Sequence, residues 1–208
     1  MNTPSRKALS VIAVFAAALL LFACAKMPGP PEPQVTSLWW FPSDKAVMVG
    51  RIELHPPLQA GEQTLMTKQG KKLKNAFILF SGNELRDIPA AGPESLEGSF
   101  WTRLDEEFFV KVDKGRTVYI SGGSVYALYD PPQLAEFLSF TSPLQVFVRP
   151  DDEAVYIGTI QLYRDEKNAV KSVLIRDDYQ WADSRFKKRF GKKKTLRKAL
   201  AAPVRNNQ

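Results

Sequence analysis

Few residues in this sequence have the types and spacing that chemistry needs. His55 is the single histidine among 208 residues, so any Ser-His-Asp relay would have to run through it. It precedes Pro56 and Pro57 where an apolar run ends, which suits an exposed loop histidine. Ser124 follows Gly122 and Gly123 but lacks the second glycine two residues on that a nucleophile elbow requires. Ser121 to Ser124 therefore reads as a hairpin turn. Gly191 to Thr195 sets three lysines before a threonine, without the earlier glycine of a phosphate-binding loop. The acidic runs Asp105-Glu106-Glu107 and Asp151-Asp152-Glu153 remain, since paired carboxylates can hold calcium or work as acid and base. Consecutive acids in a strand or turn point different ways, and neither run has the one-three-five spacing of a calcium loop. The sequence names no catalytic residue, no metal ligand set and no bound cofactor.

Two other groups invite contact rather than catalysis. Trp39, Trp40 and Phe41 are consecutive, and flat rings can stack on sugars or sit at a membrane interface; a first strand entering the core would also bring them. The second group is basic. All 22 Asp and Glu lie between Glu32 and Asp183, and Lys26 to Arg176 holds 17 Lys and Arg. Arg185 to Gln208 then carries ten basic residues and no acid. The net charge of +7 thus hides an acidic body with a basic tail. Lys187, Lys188, Arg189, Lys192, Lys193, Lys194, Arg197 and Lys198 are its candidates for an electrostatic contact. Anionic lipid headgroups, the acidic body itself or an acidic envelope protein are the partners in reach. Leu196, Ala199 and Leu200 would add an apolar stripe if Lys192 to Ala202 turned helical, but a flexible, solvated run is expected.

The elements that must position these residues are mostly strands. Short β-type runs occur at Ala46 to Leu54, Asn75 to Phe80, Ser99 to Leu104, Phe108 to Asp113, Thr117 to Ser121, Ser124 to Leu128, Leu144 to Arg149, Ala154 to Tyr163 and Val170 to Arg176. In Phe108 to Asp113, Phe108, Val110 and Val112 share one face. In Ala46 to Leu54, Met48, Ile52 and Leu54 share a face with Gly50, and the opposite face changes from Val47 and Val49 to Arg51 and Glu53. Its first half should be covered on both sides. The pattern predicts a mainly β fold over 35–190: an antiparallel sandwich or partly open barrel with one C-terminal helix. That helix begins at Asp177 or Asp178, buries Tyr179, Ala182, Phe186 and Phe190, and stops at Gly191. Residues 191–208 form the tail.

The N-terminus has a different composition. Arg6 and Lys7 precede an uncharged run from Ala8 to Ala23, which as a helix rises about 24 Å, short for a hydrocarbon core of about 30 Å. This is the order of parts of a secretory signal over 1–23. The one cysteine, Cys24, excludes an internal disulfide and a cysteine-ligated metal. It follows Leu21, Phe22 and Ala23, and this run resembles the lipobox of bacterial lipoproteins, with Phe22 departing from the usual small or β-branched residue. The resemblance implies diacylglycerol on Cys24, cleavage between Ala23 and Cys24, and acylation of the new amino group. Ala25 in place of Asp implies the outer membrane, facing the periplasm, over the inner membrane. Pro28, Pro30, Pro31 and Pro33 make 24–34 an extended spacer of roughly 30 Å. Farther on, Phe109 to Ile120, with Lys114-Gly115 as a turn, resembles the hairpin of prealbumin-like, carboxypeptidase-regulatory-like sandwich domains, which implies a binding or scaffolding module.

The function expected is a membrane-anchored interaction or scaffolding module of the envelope, not an enzyme. A hydrolase acting on wall polymer through carboxylates and a structural part of a secretion or surface assembly are the alternatives. Export sets nucleic acid aside as a partner.

Overall fold

Alternating and continuous apolar runs are satisfied by two sheets packed face to face, with a helix on the outer face of one of them. The computed structural model describes residues 34–60, 62, 67–68, 71–72, 77–82, 99–129 and 133–204. Cys24 and the segments 1–23 and 24–33 lie outside the described residues. The strands are β1 (Lys45–His55), β2 (Thr67–Lys68), β3 (Lys71–Lys72), β4 (Phe77–Gly82), β5 (Ser99–Thr102), β6 (Glu107–Asp113), β7 (Arg116–Tyr129), β8 (Gln133–Phe140), β9 (Leu144–Val148), β10 (Ala154–Arg164) and β11 (Val170–Arg176). Helix α1 (Tyr179–Phe190) follows, then β12 (Leu196–Lys198) and β13 (Ala202–Pro203). One sheet has the order β11-β10-β1-β6, with β12 also on β10; the other has β13-β9-β7-β4-β5, with β8 also on β7. The fold is the expected mainly β sandwich with one helix near the C-terminus. Most pairings are antiparallel, but β10 runs parallel to both β1 and β12.

The main core lies between the sheets. Met48, Ile52 and Leu54 of β1, with Phe108, Val110 and Val112 of β6, meet Val118, Ile120, Leu144, Val146 and Val148 from the second sheet. A second apolar cluster covers the outer face of the first sheet, where Val47, Val49, Phe109 and Tyr156 pack under Ala182 and Phe186 of α1. Strands β1 and β10 are therefore covered on both faces, which is why β10 is buried over nearly its whole length. The expectation for the first half of β1 holds for the same reason.

Both sheets use a long strand that passes its edge from one partner to another at glycine. Along β7, Arg116–Ile120 pairs with β9 and Gly123–Tyr129 with β8. Along β10, Ala154–Tyr156 pairs with β12 and Thr159–Arg164 with β11. Gly158 lies at that second handover with φ +103°. Thr117 to Leu128 is thus one strand, and the turn expected at Ser121 to Ser124 does not form, because β4 pairs continuously across this stretch with only a one-residue bulge.

The Lys114-Gly115 hairpin also needs correction. β6 gives its ladder to β1 and β7 gives its edges to β4, β8 and β9, so the turn joins the two sheets at a corner. The helix keeps its expected span and buried face. Asp178 stands at its N-cap without capping through its side chain, and Asp177 accepts the Tyr179 N–H instead.

Candidate interaction surface

The polar half of β1 is where carboxylates come together. Arg51 and Glu53 alternate with the core-facing residues, so both point to the outer face beyond the start of α1. Arg51 bonds Glu53 and reaches Asp178 at 3.2 Å, and its guanidinium lies 4.3 Å above the Trp181 ring. Arg176 bridges Glu53 at 2.9 Å and Asp178 at 2.8 Å. Thr159 donates to Asp178 at 2.8 Å, and Gln161 donates to Glu53 at 3.0 Å. Burial opposes ionisation of both acids. For Glu53 the Gln161 hydrogen bond and the charges of Arg51 and Arg176 outweigh it and hold the carboxyl below its ordinary value. For Asp178 the hydrogen bonds from Arg176 and Thr159 do the same. Asp105 behaves oppositely: although the residue as a whole is exposed, desolvation of its carboxyl and the nearby charge of Glu53 push it up. His55 stacks on Tyr163 and contacts Gln161 at 3.2 Å, so it is held within the β1–β10 pair, not in an open loop.

Of the two acidic runs, Asp151-Asp152-Glu153 is tied to the tail. Arg197 forks onto Asp152 with two 2.6 Å bonds, and Asp152 also accepts the Arg149 N–H. Burial of Asp152 is overcome by these bonds, which hold its carboxyl below the usual range. Lys194 bonds Glu153 at 2.8 Å and Lys198 bonds Asp177 at 2.9 Å. Lys187 bonds Asp183 at 2.7 Å, one helical turn back. Arg189 donates to the Val35 carbonyl and lies over the Phe109 ring. Residues 191–204 are therefore neither helix nor loose run: Leu196 is buried, β12 pairs with β10, and β13 pairs with β9. Among the anionic partners expected for the tail, the acidic body of the same chain takes Lys194, Arg197 and Lys198. Lys188, Lys192 and Lys193 are exposed and form no ion pair among the described residues.

The three aromatics divide. Leu38 and Phe41 pack on the cluster beneath α1, and between them a turn projects Trp39 and Trp40, which are 82% and 90% exposed. They do not enter the core. Val35 donates to Phe109 and Lys45 to Pro42, so the chain runs along the edge of β6 to the end of the sheet where β1 begins. Val47 of β1 faces Ala154 of β10, which faces Leu196 of β12, so the loop 191–195 reaches the same end.

Comparison with family models, with curated proteins and with solved structures finds no match. Among the described residues no group of three or more His, Cys, Asp or Glu is placed to hold a metal ion, and no helix is long and apolar enough to cross a membrane. The Arg51–Glu53–Arg176–Asp178 network was not visible as a unit in the sequence. Its one signal was the switch of the outer face of β1 from Val47 and Val49 to Arg51 and Glu53, but the partners come from β10, β11 and α1.

Proposed function

We propose that this protein is a lipid-anchored component of the bacterial envelope, held at Cys24 in the outer membrane and facing the periplasm, whose sandwich serves as a non-enzymatic interaction or scaffolding module. The observation that carries the anchored reading is the lone cysteine placed directly after Leu21-Phe22-Ala23 at the end of an uncharged run. Diacylglycerol supplies the two chains that stable anchoring needs, at about 0.8 kcal/mol for each buried methylene. The state of the carboxylates supports an interaction module over a wall hydrolase. Glu53, Asp178, Asp152 and Glu153 are neutralised by cations of the same chain, and each is held below its ordinary pKa. A general acid needs the reverse. Among the described carboxylates only Asp105 is pushed up, and its neighbour Glu53 is occupied by two arginines.

The test is metabolic labelling with an alkyne fatty acid followed by membrane fractionation. The unaltered chain is expected to carry label and to sediment with outer membranes, and Cys24→Ser to lose both. Label retained by Cys24→Ser would overturn the assignment.

A further inference from the structure

The end of the first sheet where β1 begins gathers two largely exposed indoles and lysines that form no ion pair among the described residues. Leu38 and Phe41, on either side of Trp39 and Trp40, are partly buried against the cluster beneath α1, so the exposure of the two indoles belongs to the fold and not to a loose end. Lys192 and Lys193 sit in the loop between α1 and β12, which Glu153 fixes by accepting from Lys194 and from the Thr195 N–H. The same Glu153 gives its carbonyl to Val47, tying that loop to the start of β1. Lys114 is at this end too, its N–H bonded to the Asp44 carbonyl. Most acids here are answered within the chain: Asp113 by Lys45, Asp152 by Arg197 and Glu153 by Lys194. Asp44 lies 3.9 Å from Lys45, and Asp151 adds to the field that holds Arg197 charged. This end presents outward the indoles of Trp39 and Trp40 together with Lys192 and Lys193, and Asp44 and Asp151 are exposed at the same end.

We infer that Trp39 and Trp40, with Lys192 and Lys193, form a seat for the surface of an anionic phospholipid bilayer. Tryptophan partitions to the headgroup level, where its ring is buried and its N–H stays hydrated, and lysines beside it are drawn to lipid phosphates. A neutral sugar would engage the indoles but not the lysines. Chain length agrees. The proposal rests on the anchored-envelope reading, in which only nine residues separate Cys24 from Gln34, a reach of at most roughly 36 Å, and Trp39 stands five residues further on. The body is thereby docked on the bilayer through a defined end, which leaves the Arg51–Trp181 end of α1 pointing away from it.

The test uses the full chain reconstituted into vesicles with bromine on their acyl chains, one set of phosphatidylcholine alone and one containing phosphatidylglycerol. Bromine quenches indoles that enter the interface, and comparison with Trp39→Ser/Trp40→Ser isolates this pair from the other two tryptophans. Quenching is expected in the anionic vesicles and is expected to vanish in the double variant. It should also be lost in Lys192→Glu/Lys193→Glu and, for the unaltered chain, at high salt. Unquenched emission in anionic vesicles, or equal quenching with and without Trp39 and Trp40, overturns the seat. A mass spectrum of the same preparation reports acylation of Cys24 separately, so a missing anchor and a missing seat give different results.

Discussion

Gly158 stands where no other side chain fits. Its φ of +103° is open to glycine alone, and a Cβ there would come within 2.4 Å of Cγ2 of Ile175. Gly50 meets a different limit, since a Cβ would lie 2.5 Å from the ring of Phe108 in the core. Gly50→Ala is expected to cost about 1–3 kcal/mol through overpacking. Gly158→Ala should cost at least as much, because backbone strain adds to the clash. Urea unfolding of the two variants measures both. The carboxylates set the pH response. Asp152, Asp178 and Glu53 have folded pKa values below the ordinary 3.8 of Asp and 4.5 of Glu. Their contribution is fully present above those ordinary values and is lost as pH falls through the depressed ones. Asp105 works in the opposite sense, since its raised pKa weakens the fold near neutrality and relaxes as acid protonates it. Asp152→Asn strands part of the Arg197 charge, which costs about 3 kcal/mol near neutrality. It should also flatten the fall in stability as pH drops below about 4, the range in which the folded Asp152 carboxylate is protonated, read by denaturant midpoints from about pH 5 downward. Arg51–Glu53 and Arg176–Asp178 are local, but the pairings that join them into a network were hidden in the sequence because they link residues far apart in the chain, such as Arg51 with Asp178 and Arg176 with Glu53.

Elements were legible where local pattern and tertiary role agree. The period of Tyr179, Ala182, Phe186 and Phe190 and the stop at Gly191 gave α1, because the buried face of a surface helix is written in its own sequence. Strands β1, β6, β10 and β11 were read for the same reason. β8 was not, since Gln133 to Phe140 alternates poorly, and its strand comes from the long partner β7. The tail failed more instructively. A run as basic as Lys192 to Lys198 carries no strand signal of its own, and becomes one only because β10 has an open edge over Ala154–Tyr156 with Asp152 and Glu153 beside it. Leu196, 2% exposed, is the apolar anchor of that pairing. Leu196→Ala is expected to lower stability by about 2–4 kcal/mol, while Lys193→Ala should leave it within about 0.5 kcal/mol. Equal thermal midpoints for Leu196→Ala and the unaltered chain would mean that the C-terminal segment is not part of the fold.

At the scale of the whole molecule, the described parts have an order along one axis: the tryptophan turn and lysine loop at the end of the sandwich where β1 begins, and the ion-pair network toward the other end. The uncharged run from Ala8 to Ala23 and the cysteine after it are plain in the sequence, and the proposed export and lipidation rest on that linear chemistry. The outward placement of Trp39 and Trp40 was not, since an aromatic run before a first strand fits a core equally well, and only the packing of Leu38 and Phe41 decides it. The proposed use, an interaction module held close to a bilayer, depends on Cys24. The most direct measurement is therefore the mass of the N-terminal peptide of the protein extracted from bacterial membranes. The expected peptide begins at Cys24 and carries diacylglycerol with a further acyl chain on its amino group. A peptide beginning at Met1, or an unmodified Cys24, would contradict the anchored reading.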